Sequence, residues 1–196
     1  MSSVRTRPTR EQTRQRLFEA AATVFARRGV AAATVEEITA EAGFTRGAFY
    51  SNFDTTAQLA LAMLEDHLEV SEQHNRRLVE QHPDPAALVR ALRAGNRDDP
   101  LHRNPLLQIE IMMHVARTDQ HRARVGAHLR QKRQVFGQLV AASVDTDALG
   151  LDPAQIGLVL VALEDGLRLH RLVDPRSTAE DAFLDALAML QRLLTA

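Results

Sequence analysis

The chain has no cysteine and no tryptophan, and Lys132 is its only lysine. Without cysteine there are no disulfides, no thiol nucleophiles and no thiolate metal sites, which fits a reducing compartment. A long apolar run is also missing: the most apolar stretch, Ile156 to Leu163, is followed at once by Glu164 and Asp165. A membrane span needs about 20 such residues. The N-terminus, MSSVRTRPTREQTRQR, is polar and arginine-rich, so it lacks the apolar core of a secretory signal. A soluble cytoplasmic protein with no membrane partner is the expectation. Aromatic residues are scarce too, at seven Phe and one Tyr, yet Phe44, Phe49, Tyr50 and Phe53 crowd into one segment.

What is present is a 196-residue chain with 45% hydrophobic residues, enough for one compact body or two small domains. The net charge of −1 hides an asymmetry. Arg5, Arg7, Arg10, Arg14 and Arg16 stand against Glu11 alone at the N-terminal end, leaving the rest net negative. Such an arm suits an anionic partner or, equally, serves as a solubilising tail.

Helical periodicity runs through nearly the whole sequence and strand alternation is almost absent, so the fold class is all-α with about nine helices. Thr9 with Gln12 forms a capping box for a helix that buries Leu17, Ala21, Val24 and Phe25 and stops at Gly29. Thr34 with Glu37 is a second box, opening a short helix that ends at Gly43. Thr45 caps a third helix, expected to reach Phe53. Thr55 with Gln58 opens a fourth, to about His82. Asp84-Pro85, Asn104-Pro105 and Asp152-Pro153 share one device, an Asx cap before a proline at the first helical position. A long proline-free helix is expected from Asp119 to about Val144. The helix from 152 to 173 should end at Asp174-Pro175, and Thr178 with Asp181 should start the last one. Met1 to Pro8 reads as disordered.

A helix, a glycine-centred turn and a short second helix over 34–53 form the helix-turn-helix pattern, whose second helix fits the DNA major groove. At 100° per residue, Phe49 and Phe53 define its buried side, with Gly47, Ala48 and Ser51 roughly opposite and Arg46 and Tyr50 flanking. A helix this short must be bolted to its neighbours. Phe44, Phe49 and Phe53 serve as bolts. The small residues let the helix axis approach base edges, and Arg46 can pair with a guanine or a phosphate.

Residues 10–59 resemble the N-terminal domain of the TetR family of transcriptional repressors. The segment LFEAAATVFARRGVAAATVEEITAEAGFTRGAFYSNFDTTAQL carries the resemblance. It has an Ala-rich helix ending in Phe-x-x-x-Gly, then Thr-Val-x-x-Ile, then Ala-Gly-Phe-Thr-x-Gly-x-Phe-Tyr-x-x-Phe. The resemblance implies a flexible arm over 1–9, a three-helix DNA-binding domain over 10–56 and a helical effector-binding and dimerisation domain over 57–196. It implies a homodimer on a near-palindromic double-stranded DNA operator, released by a small molecule. Arg46, Gly47 and Ala48 match base-reading positions; Tyr50, Ser51 and Asn52 match positions that touch phosphates or bases. Thr34 matches a phosphate contact at a helix N-terminus. Thr45 and Thr56 complete the DNA-facing set, although many family members carry lysine where this chain has Thr56.

In the larger domain, Ile109, Met112, Met113, Phe136 and Leu160 are candidates to line a cavity for a small hydrophobic or amphipathic effector, with Glu164 as its polar anchor. Plain core packing, and for Glu164 an i,i+4 pair with Arg168, are the competing readings. Leu163, Leu167, His170, Phe183, Leu187 and Leu190 are candidates for the dimer interface, where Gly157 and Gly166 would permit close helix contact. The histidines His114, His121 and His128 recur every seven residues, about 10.5 Å along a helix, too far apart to share an ion. No metal or cofactor is expected. No nucleophile elbow or phosphate loop supports an enzyme. A protein-binding helical adaptor is the other rival class.

Overall fold

The computed structural model describes residues 8–82, 87, 91, 99–117, 119–141, 146–148 and 150–195. Among these the chain is helical and without strands: α1 Arg10–Arg28, α2 Val35–Ala42, α3 Arg46–Tyr50, α4 Thr56–Gln81, α5 Pro100–Arg103, α6 Pro105–Val115, α7 Asp119–Ala141, α8 Pro153–Val173 and α9 Ala182–Thr195. The Met1–Arg7 part of the arm, the Asp84-Pro85 cap and Val144 lie outside the described residues.

The caps explain the boundaries. Both capping boxes close: Thr9 accepts from the Gln12 amide at 3.1 Å and Thr34 from the Glu37 amide at 3.2 Å, each glutamine or glutamate reaching back to the threonine amide. Gly43 ends α2 at φ 66°, the left-handed region where a Cβ would be strained. Asn104 and Asp152 cap α6 and α8 as expected. Asp99-Pro100 repeats that device for α5, with Asp99 accepting from the Leu101 amide at 2.7 Å. The sequence reading overlooked it because a four-residue helix leaves no periodic stripe.

Two boundaries differ from expectation. α3 ends at Tyr50 rather than Phe53, although the Phe53 amide still donates to the Phe49 carbonyl at 2.9 Å. The last helix begins at Ala182, not at Thr178. The Asp174 carboxylate takes the Arg176 and Ser177 amides, at 3.2 and 3.3 Å, and so winds this segment into an Asx turn.

The chain divides into two compact units, parted within α4 after His67 and within α7 after Arg122. The first unit holds α1–α3, the N-terminal part of α4, and α5–α6. Leu17, Phe25, Ile38, Phe49, Leu59, Leu64 and Ile111 are its fully buried centre. Three polar links fasten α4–α6 around the helix-turn-helix. Glu110 of α6 accepts the Val30 amide at 2.7 Å, in the turn after α1. Arg103 pairs with Glu19 of α1 at 2.8 Å. The buried His67 of α4 hydrogen-bonds the Asp99 carboxylate that caps α5. Burial pushes the Asp99 carboxyl up, but His67 and the Leu101 and His102 amides outweigh it and hold it below the usual range.

The second unit is built on Phe136, Leu160 and Val161, against which Val140, Ile156, Phe183, Leu187 and Leu190 pack. Phe136 and Phe183 meet edge-on with centroids 5.9 Å apart. α7 and α8 cross with backbones nearly touching: a Cβ on Gly157 would lie 1.9 Å from the Arg133 carbonyl oxygen, and one on Gly137 would lie 2.1 Å from that of Pro153. Gly157 therefore serves a close contact inside the protomer, whereas the sequence suggested one across a dimer interface. Phe183, Leu187 and Leu190, expected at an interface, are half-buried and pack against this unit's core within the protomer.

Candidate nucleic-acid interface

The short α3 is held from below. Phe49 is fully buried and Phe53 nearly so, their ring centroids 5.9 Å apart, with Phe18 of α1 stacked on Phe53 at 5.9 Å. Two arginines of the basic N-terminal segment work here as clamps. The Arg14 guanidinium lies 4.9 Å from the Phe18 centroid. Arg16 donates to the Ala42 carbonyl at 2.8 Å and covers the Phe44 ring at 4.4 Å. Charge alone could not separate such packing arginines from DNA-facing ones, and Arg10 remains exposed at the start of α1.

Above these anchors, Thr45, Arg46, Gly47, Tyr50 and Ser51 are exposed and Ala48 and Asn52 are half-buried. Ser51 and Asn52 both donate to the Ala48 carbonyl, at 2.9 and 2.8 Å, so their side chains are fixed before any ligand arrives. Thr45 accepts the Ala48 amide at 3.3 Å. An open groove of about 720 Å³ runs beside this helix, with Arg10 and Thr13 of α1 on one wall and Thr45, Gly47, Ala48 and Ser51 on the other. Thr34, at the α2 N-terminus, is exposed. Its amide and hydroxyl hold the Glu37 carboxyl below the usual range. Thr56, half-buried, opens α4.

Arg46 is not free. Its Nη1 meets Glu36 Oε1 of α2 at 3.1 Å, and its guanidinium lies 5.9 Å from the Tyr50 centroid. Tyr50 and then Glu36 push its pKa up, favouring the charged form that a guanidinium already holds. Sequence reasoning missed Glu36, since no local spacing links it to a residue on the next helix.

The expected effector set is divided between the two units. Ile109, Met112 and Met113 belong to the first unit, and Met113 is 61% exposed. Phe136 and Leu160 are core of the second. Glu164 is held below the usual carboxylate range: burial pushes it up, but Lys132 at 2.7 Å and Arg168 at 2.9 Å outweigh that. The i,i+4 pair with Arg168, the plainer reading, is present. Among the described residues no group of three or more His, Asp or Glu is placed to hold a metal ion. No helix described is long and apolar enough to cross a membrane.

A buried three-helix module presenting one short exposed helix defines the helix-turn-helix class. Within that class, residues 17–63 match the family model described as "Bacterial regulatory proteins, tetR family". The chain is 39% identical over 90 residues to the HTH-type transcriptional regulator TtgR of Pseudomonas putida, a match covering 45% of this chain and 42% of TtgR. The chain thus spans under half the length of that curated relative. Among solved structures it resembles NalD, the secondary repressor of the MexAB-OprM multidrug efflux pump in Pseudomonas aeruginosa, at 25% identity and a TM-score of 0.66, covering 93% of this chain and 96% of NalD. It also shares the fold of SmeT, the Stenotrophomonas maltophilia repressor, in its triclosan complex, at 24% identity and a TM-score of 0.65 over 91% of this chain and 87% of that one.

Proposed function

We propose that the protein is a homodimeric transcriptional regulator, a repressor that binds a near-palindromic operator through α3 and leaves it when a small apolar or amphipathic molecule binds the C-terminal helices. One observation carries the DNA-binding reading: a five-residue helix, too short to stand alone, is anchored by buried phenylalanines and presents Arg46, Gly47, Tyr50 and Ser51 outward. The ligand reading is supported by SmeT, solved in a triclosan complex, and NalD, the secondary repressor of a multidrug efflux pump. Footprinting of the purified protein on the DNA flanking its own gene, followed by a screen for compounds that release it, tests both parts. A protein that protects no site there and enriches none from random duplexes is not such a regulator.

The dimer reading is supported by the surface of α8. Val159, Ala162, Leu169 and Val173 are exposed, and with Gly166 they fall at alternating spacings of three and four, a continuous stripe along one face. On α9, Met189 and Leu193 are likewise exposed, at 50% and 69%. This apolar surface suits a four-helix contact with a second copy. Leu163 and Leu167, half-buried, and the exposed His170 flank the stripe.

Two variants test the readout. Arg46→Ala should weaken operator binding by about 10- to 100-fold, the loss of one bidentate base contact, and relax preference at one operator position. Tyr50→Phe should weaken all sequences alike. Normal operator binding by Arg46→Ala would remove α3 from the interface. Thr56→Lys should add a phosphate contact, steepening the log-affinity against log-salt slope by about 0.9 on operator and random DNA equally. An unchanged slope would mean that the start of α4 does not face the backbone.

A further inference from the structure

An acidic side chain beside a DNA-reading arginine needs a reason, because it repels every phosphate it approaches. Glu36 and Arg46 are both well exposed, at 59% and 62%, so their 3.1 Å pair contributes little to folding. Its consequence is geometric. A free arginine side chain samples many rotamers and reaches phosphates as readily as bases. Here Glu36 holds Nη1 and the guanidinium lies 5.9 Å from the Tyr50 ring centroid, so its placement is biased before DNA arrives. Guanidinium carries five donors, and one carboxylate oxygen leaves the rest of the fork available for paired acceptors such as guanine O6 and N7.

We propose that Glu36 is a specificity-determining positioning residue, which fixes Arg46 for base reading and denies it to the phosphate backbone. The inference rests on the DNA-binding reading above. The charge penalty applies to every sequence alike, whereas the fixed guanidinium helps only where a guanine stands opposite it. Discrimination therefore rises while general affinity falls. Glu36 also lies in the first turn of α2, where any acid suits the helix dipole. Reach separates the two roles: aspartate keeps the charge at the helix start but is one methylene too short for Arg46.

The test starts from a pool of random 30-base-pair duplexes, from which wild-type protein selects its preferred sequence. Affinities for that duplex and for a scrambled duplex of equal composition are then measured for wild type, Glu36→Gln, Glu36→Asp and Arg46→Ala, and for Glu36→Gln combined with Arg46→Ala. Glu36→Gln and Glu36→Asp should bind the scrambled duplex more tightly or equally, and lose roughly fivefold or more in the ratio of selected to scrambled affinity. In the Arg46→Ala background, Glu36→Gln should leave the ratio unchanged. Wild type that enriches no sequence overturns the DNA-binding reading itself. Wild type that selects, alongside a Glu36→Gln protein of unchanged ratio, overturns only the role of Glu36. So does a Glu36→Asp protein that matches wild type, or a Glu36 effect that persists without Arg46.

Discussion

Gly166→Leu is expected to give a folded protein that no longer dimerises. A Cβ built at Gly166 meets no atom within 4 Å, so the protomer has room for a larger side chain. Replacing a mid-helix glycine also favours the helix, by about 0.5–1 kcal/mol. Only a second copy packed along the Val159–Val173 stripe would meet the new side chain, at the point where Ala162 and Gly166 let two helices approach most closely. Loss of that contact separates the two half-site contacts. Operator affinity should then fall by the effective-concentration factor, about 10²–10⁴-fold. Light scattering reads the mass and circular dichroism the fold. A Gly166→Leu protein that stays dimeric places the interface elsewhere.

Gly157→Ala, nine residues earlier on the same helix, should do the reverse. Nine steps of 100° amount to half a turn, so the two glycines face opposite sides of α8. The alanine methyl would overlap the Arg133 carbonyl oxygen at 1.9 Å and its carbon at 2.8 Å. Both belong to backbone and cannot swing aside, so α7 and α8 must separate and the packing of Phe136 against Leu160 must loosen. A loss of about 3 kcal/mol is expected, since overpacking costs of that size are typical of rigid sites. For a chain of this length it corresponds to roughly 6–12 °C in Tm. Urea unfolding of both glycine variants side by side decides it: equal stability would contradict the close crossing of α7 and α8.

The glycine pair shows where sequence reading stops. Gly157 and Gly166 look alike in sequence, and both suggest close helix contact. Which face each occupies follows from the helix, but which neighbour covers that face does not. The same holds for the arginines of the N-terminal segment. Their charge points to an anionic partner, yet Arg14 and Arg16 are held against phenylalanine rings. Glu164 illustrates it again: Arg168 is within reach on the same helix, whereas Lys132 comes from α7.

What the sequence determined by itself are the features that act over a few residues. The two capping boxes, the stops at Gly29 and Gly43, the Asx-Pro starts at Asn104 and Asp152 and the spacing of Phe49 and Phe53 are all local, because a helix cap or stripe is satisfied within about one turn. The helix-turn-helix and its exposed residues were therefore legible, since that module is built almost wholly from such signals. Tertiary structure alone decided the pairings between distant residues: Glu36 with Arg46, Glu110 with the Val30 amide, His67 with Asp99, and the α7 backbone against Gly157. A side chain's partner across a fold depends on how whole helices pack, and packing is set by the sum of many weak contacts that no single spacing records.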